Sequence, residues 1–267
     1  MGNAGAVGEL IRHWRTARGK SQLDLSVDAE VSTRHISFIE NGKATPSREM
    51  LLVLASALDV PLRERNTLLL SGGFAPVYRE TSLDAPSMAH VRAAIDCILE
   101  QTEPNGAILL DREWRALRMN RSIVRLVQTF VADPASIAEL GANIMLGVFE
   151  KRALRDAIVN FDQVAGSIVT RLRREATAEG PDGAAKRLLD KVLSYPGLPK
   201  IVHVADPSAQ LDLLIPVHLR KGDVELRFFT TLTTLGTPLD VTLDELRIES
   251  YYPADDVTAK WLRSSSA

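Results

Sequence analysis

The sequence predicts a mostly helical α+β chain: a bundle of five short helices ahead of a larger domain that mixes strands and helices. Three observations predict it. Apolar residues in the first 75 positions recur at helical spacing between very short turns. Residues 74–86 carry two prolines and no apolar stripe. Beyond residue 100, apolar runs of strand length alternate with helical ones. At 267 residues, 45% apolar and 25% charged, the composition excludes disordered, collagen-like and low-complexity classes, and the length suits one or two domains. The boundaries expected are 1–75 for the bundle, 76–100 for a linker and connecting helix, and 101–267 for the mixed domain.

The five helices follow in order. Val7, Leu10, Ile11 and Trp14 form one stripe, on a helix ended by Gly19. Ser21 through Asp24 has the pattern of a capping box and opens a second helix, with Leu25 and Ala29 inward. Ser32 caps a third, in which Ile36 and Ile39 face the core and Asn41-Gly42 ends it. Ser47 opens a fourth carrying Leu51, Leu54, Ala55 and Leu58, and Pro61 is the expected first residue of a fifth that runs to Gly72-Gly73. After the break, residues 88–99 resume as a helix with Val91, Ile95, Ile98 and Leu99 on one face.

The mixed domain is expected to begin with two strands, 107–111 and 114–119, joined by a polar turn at Arg112-Glu113. A helix over 122–131 follows, then a long amphipathic helix marked by Phe161, Val164, Ala165, Ile168, Val169 and Leu172. Leu188, Leu189, Val192 and Leu193 mark a further helix closed by Pro196-Gly197. Three strands are expected at 213–219, 224–232 and 243–252, the first two joined through Lys221-Gly222-Asp223.

Helices two and three, over 22–29 and 33–40, are separated by only a few residues, which is the spacing of a helix-turn-helix. Such a third helix lies in a DNA major groove with Arg34 on a guanine edge and Thr33 or Phe38 on a thymine methyl. Ser37 shares that outward face, and Ser32 and His35 complete the candidate set at the helix start. Gln22, Asn41 and Lys43 stand where phosphate contacts are expected, and Arg15 is placed to pair with Glu40. Double-stranded DNA is the expected partner; a protein-interaction bundle fits the same spacing. Charge is neutral on the question. The first 75 residues hold nine Lys and Arg against eight acids, a net +1 within a chain of net charge −2.

The run from Val31 to Pro46, VSTRHISFIENGKATP, closely resembles the core of XRE-type helix-turn-helix regulators, with its hydrophobic-Ser start, inward Ile, Glu-x-Gly and following Pro. Ser-Arg-Glu-Met at 47–50, LDVPLRERN at 58–66, Tyr-Pro-Gly at 195–197, TTLGTPLDVTLDEL at 233–246 and IESYYPAD at 248–255 resemble one subgroup, the MmyB-like regulators. The resemblance runs over nearly the whole chain. It implies a PAS-like ligand-binding second domain that holds a fatty acid, in proteins that are dimers. The chain departs from that pattern at Glu30, where the family carries Gly and an adjusted turn is expected, and at Asn105-Gly106 and Asn160-Phe161.

Trp114, Leu117, Met119, Phe130, Phe149, Phe161, Phe228 and Phe229 are the candidates for lining an apolar pocket, with ordinary core as their alternative role. Asn120 is either a polar anchor for the ligand or the cap of the next helix. No catalytic signature or cofactor motif is read. Gly19-Lys20-Ser21 copies only the tail of a P-loop, and Asp111 and Glu113 are better explained by a turn. His13, His35, His90, His203 and His218 form no ligand-spaced cluster with the single Cys97, so no metal site is expected. A cytoplasmic regulator that binds DNA and an apolar ligand as a homodimer, with no membrane contact, is the expected function; a protein-interaction module without a ligand is the alternative.

Overall fold

A computed structural model describes residues 4–179, 183–199, 216–236 and 238–264. They divide into two compact units, the first reaching Ser82 and including a short stretch that ends at Asp244, the second starting at Leu83.

The first unit contains α1 (Ala4–Ala17), α2 (Gln22–Asp28), α3 (Thr33–Glu40), α4 (Arg48–Ala57) and α5 (Leu62–Ser71). Each expected cap forms: Ser21 and Asp24 close a reciprocal capping box, Ser32 accepts from the His35 amide, and Ser47 accepts from the Met50 amide. Pro61 sits one position earlier than expected, as the N-cap of α5. Val7, Ile11, Trp14, Leu25, Ile36, Ile39, Leu51, Leu54 and Leu58 make the core. Helices α1 and α3 approach so closely that a Cβ on Gly8 would lie 2.4 Å from the carbonyl oxygen of Ile39, a backbone atom with little freedom to retreat.

The turn between α2 and α3 overturns one expectation. It is not adjusted for its missing glycine: Glu30 holds φ of +53°. That conformation costs a residue with a Cβ about 1–2 kcal/mol. Glu30→Gly is therefore expected to stabilise the unit by about 0.5–1 kcal/mol, because glycine's larger unfolded-state entropy returns part of the gain. A melting temperature unchanged or lowered in Glu30→Gly would show that the strain is relieved some other way.

The second unit opens with α6 (Ala89–Gln101), β1 (Gly106–Leu110), β2 (Ala116–Met119), α7 (Arg121–Phe130), α8 (Pro134–Glu139), α9 (Ile144–Phe149), α10 (Phe161–Glu179) and α11 (Ala184–Leu193). It continues with β3 (Val217–Lys221) and β4 (Val224–Thr234), and after α12 (Val241–Glu245), which ends at the unit boundary, with β5 (Arg247–Pro253) and α13 (Asp256–Arg263). The strands form one antiparallel sheet in the order β2-β1-β5-β4-β3, so the last strand is inserted at the centre. Its register sets Ile108 opposite both Met119 and Glu249, and Thr230 opposite Tyr251. Strands β3 and β4 meet through the two-residue turn Gly222-Asp223, with Gly222 at φ +57°.

Two strand expectations are corrected. The second strand begins at Ala116, not Trp114, because the Asp111 carboxylate accepts from the Glu113 amide at 2.8 Å and the Arg115 amide at 2.9 Å and curls the chain. Trp114 takes φ +64° in that turn. The last strand starts at Arg247, because Asp240 accepts from the Thr242 amide at 2.9 Å and starts α12 instead. Residues 213–215 of the expected third strand, and His203, lie outside the described residues. Among the described residues no helix is long and apolar enough to cross a membrane.

Candidate functional site

The first candidate site is the outward face of α3. Its position is set by Glu40, whose side chain has no exposed surface. Arg15 donates from Nε at 2.6 Å and from Nη2 at 2.9 Å to the two carboxylate oxygens, and Gln22 Nε2 donates at 2.8 Å. Arg12 donates to the Glu40 carbonyl and to Asn41 Oδ1, both at 2.9 Å. Burial would raise the Glu40 carboxyl pKa, but the hydrogen bonds from Arg15 and Gln22 and the charges of Arg15 and Arg12 outweigh it and hold it below the usual value. The expected Arg15–Glu40 pair is thus the centre of a larger network that fixes α1, α2 and α3 together.

On that frame Arg34 and Phe38 are exposed, with the Arg34 guanidinium 5.2 Å from the Phe38 ring centroid. A side chain stacked in this way is already partly ordered before any base is met. Thr33 Oγ1 donates to Ser26 Oγ at 3.0 Å and ties α3 to α2. Ser37 is half-buried and its carbonyl accepts from Asn41 Nδ2 at 2.7 Å; His35 is half-buried, and the exposed Ser32 is the cap. Gln22 and Asn41 have side chains engaged inside the unit, whereas Lys43 is exposed and makes no ion pair among the described residues.

The second candidate site lies within the second unit, between the inner sheet face and helices α7, α9 and α10: a cavity of about 220 Å³. Ile108, Ile123, Leu126, Met145, Ile168 and Phe228 give it apolar walls. Of the residues expected to line a pocket, Met119 and Phe228 do so. The others are placed elsewhere. Trp114, Phe130 and Phe149 are fully enclosed core, and Phe161 packs edge-on to Phe149 at 5.7 Å. Leu117 is the unpaired extra residue where the register of β1 and β2 shifts, and it is exposed; Phe229 falls on the opposite strand face from Phe228 and Thr230 and stacks on Tyr252 at 5.4 Å. Asn120 is a cap and brace: Oδ1 accepts from the Ala107 amide at 3.0 Å and the Ile123 amide at 3.2 Å, while Nδ2 donates to the Asn105 carbonyl at 2.8 Å.

A polar group in the wall was missed from sequence: Arg171 of α10, Thr230 of β4, and Glu249 and Tyr251 of β5. The Tyr251 hydroxyl donates to Glu249 Oε2 at 2.9 Å, and Thr230 bonds the same carboxyl. Burial pushes the Glu249 carboxyl up from its usual range and the Tyr251 phenol well up from its own. Both keep some open surface, which faces the cavity. The period-2 placement of Glu249 and Tyr251 on one strand face was the available signal.

Comparison with known proteins matches residues 11–65 to the helix-turn-helix family and residues 91–264 to the MmyB-like transcription regulator ligand binding domain. Over 56 residues, 21% of this chain, the sequence is 38% identical to the transcriptional regulator ClgR from each of two strains of Mycobacterium tuberculosis. The chain spans about half the length of these curated relatives. With a helix-turn-helix head and a ligand-binding domain that takes up most of its length, the chain belongs to the family of MmyB-like transcription regulators.

Proposed function

We propose that the chain is a homodimeric one-component regulator that places α3 in the major groove of its operator and changes operator affinity when an apolar molecule, a fatty acid first among candidates, enters the second unit. The observation that carries this reading is a firmly braced α3, with Arg34 and Phe38 exposed, in the same chain as an apolar-walled cavity. Two recognition helices of a dimer would meet half-sites about one helical turn apart. Ligand acts only by binding the two dimer geometries unequally.

Two measurements test it. Arg34→Ala is expected to cost about 1–3 kcal/mol of operator affinity and to relax one base position, whereas Lys43→Ala weakens all sequences alike and lowers the salt slope by about one. Selection of sites from random DNA reads the difference; equal motifs from wild type and Arg34→Ala would overturn the readout. For the sensor, a ligand at 100 times its Kd stabilises by about 2.7 kcal/mol. Thermal scans against fatty acids of graded chain length should show an optimum. No shift across the series, with no lipid extracted from native protein, would leave the protein-interaction reading standing.

A further inference from the structure

The polar part of the cavity wall is richer than an apolar tail with a simple head requires. Arg171 lines the cavity with its guanidinium 5.2 Å from the Trp114 ring centroid. Among the described residues no hydrogen bond or ion pair engages that guanidinium, which acts on Glu249 and Tyr251 only through its charge. A planar guanidinium in an otherwise mostly apolar wall, with the Trp114 ring as its neighbour, is suited to hold an anion bidentately. Glu249 is the counterpart. It receives Tyr251 and Thr230, and in the neutral form that burial favours its carbonyl oxygen keeps room for a further hydrogen bond. Arg171 on α10 and Glu249 and Tyr251 on β5 line the same cavity, so the two sides flank one space.

We propose that Arg171, Thr230, Glu249 and Tyr251 select an apolar-tailed acid bearing a hydroxyl a few bonds from its carboxylate, in preference to the plain alkanoate. The carboxylate pairs with Arg171, the hydroxyl donates to Glu249, and the tail lies along Ile108, Ile123 and Phe228. Burial already favours the neutral form of Glu249, which removes the repulsion a second carboxylate would otherwise meet. The inference rests on the cavity being a sensor site.

Calorimetric titration of the delipidated full chain with dodecanoate, 3-hydroxydodecanoate and dodecan-1-ol tests it. Wild type is expected to bind the hydroxy acid about tenfold or more tightly than dodecanoate, the factor one hydrogen bond to a buried acceptor supplies. Glu249→Leu should bring the ratio of the two acid affinities to near one, and Glu249→Gln should retain part of the preference. Arg171→Met should bring both acids down toward the alcohol, with Arg171→Lys intermediate. Unfolding of each variant in urea separates lost binding from lost fold. Equal affinity of wild type for the two acids, or an intact preference in folded Glu249→Leu, would overturn the inference and leave the sensor reading in place. If none of the three compounds binds wild type, the sensor reading itself falls, and this inference falls with it.

Discussion

Glu40→Ala is expected to destabilise the first unit by about 3–5 kcal/mol, because it strands the Arg15 guanidinium and the Gln22 amide in a buried site built for a carboxylate. For a unit of this size that lowers its melting transition by at least ~12 °C. Much of the effect comes from orphaning the partners, so Arg15→Met should be similarly severe by leaving Glu40 buried without its main donor. Calorimetry of the full chain reads the result as a shift of one transition. A drop of under ~3 °C would show that the network is dispensable.

The same network gives the head an acid limit. The Glu40 carboxyl in the folded state is held below its unfolded value, so its contribution is fully present above the ordinary carboxylate pKa of about 4.3. It is lost as pH falls through the depressed folded value. Glu40→Gln should flatten the loss of head stability in that acid window. An equally steep profile would assign the acid sensitivity to other carboxylates, such as Asp24 in its capping box, also held low by hydrogen bonds from Ser21.

The head was legible in sequence because its signals are local and agree with one another. Caps at Ser21, Ser32 and Ser47 lie within three residues of the amides they bind, and the inward stripe repeats at helical spacing. Glu30 was the exception, since packing of α2 on α3 imposes a backbone that its own residue type disfavours. In the second unit, long and strongly periodic elements such as α10 were readable, while α8 and α9, six residues each, are too short to show a period. The pocket was the least legible part. Trp114 and Phe149 are as apolar as Phe228, and which of them faces a cavity depends on sheet order and on helices distant in sequence. The polar wall joins Arg171 to Thr230, Glu249 and Tyr251 across some 60 to 80 residues, and no local pattern in the sequence expresses such a meeting.

Trp114→Ala is expected to cost the second unit about 3–5 kcal/mol, the range for removing a fully enclosed large aromatic. The ring does more than fill space. Arg171 and Arg247 stand over it at 5.2 and 4.8 Å, and its Nε1 donates to Glu175 Oε2 at 3.0 Å, while Glu175 also pairs with Arg247 at 3.0 Å. Removing the indole leaves two guanidiniums without their aromatic face and one carboxylate short of a donor. Trp114→Phe keeps most of the apolar volume and a weaker face for the cations, and should cost only about 1–2 kcal/mol. The left-handed turn persists in both variants because Asp111 holds it from the side. Calorimetry of the full chain should show the second unit's transition falling in the order Ala below Phe below wild type, with the head's transition unmoved. If Phe and Ala cost the same, the indole hydrogen bond and not the ring volume carries the stability, and Glu175→Leu, which removes the acceptor, should then reproduce the loss.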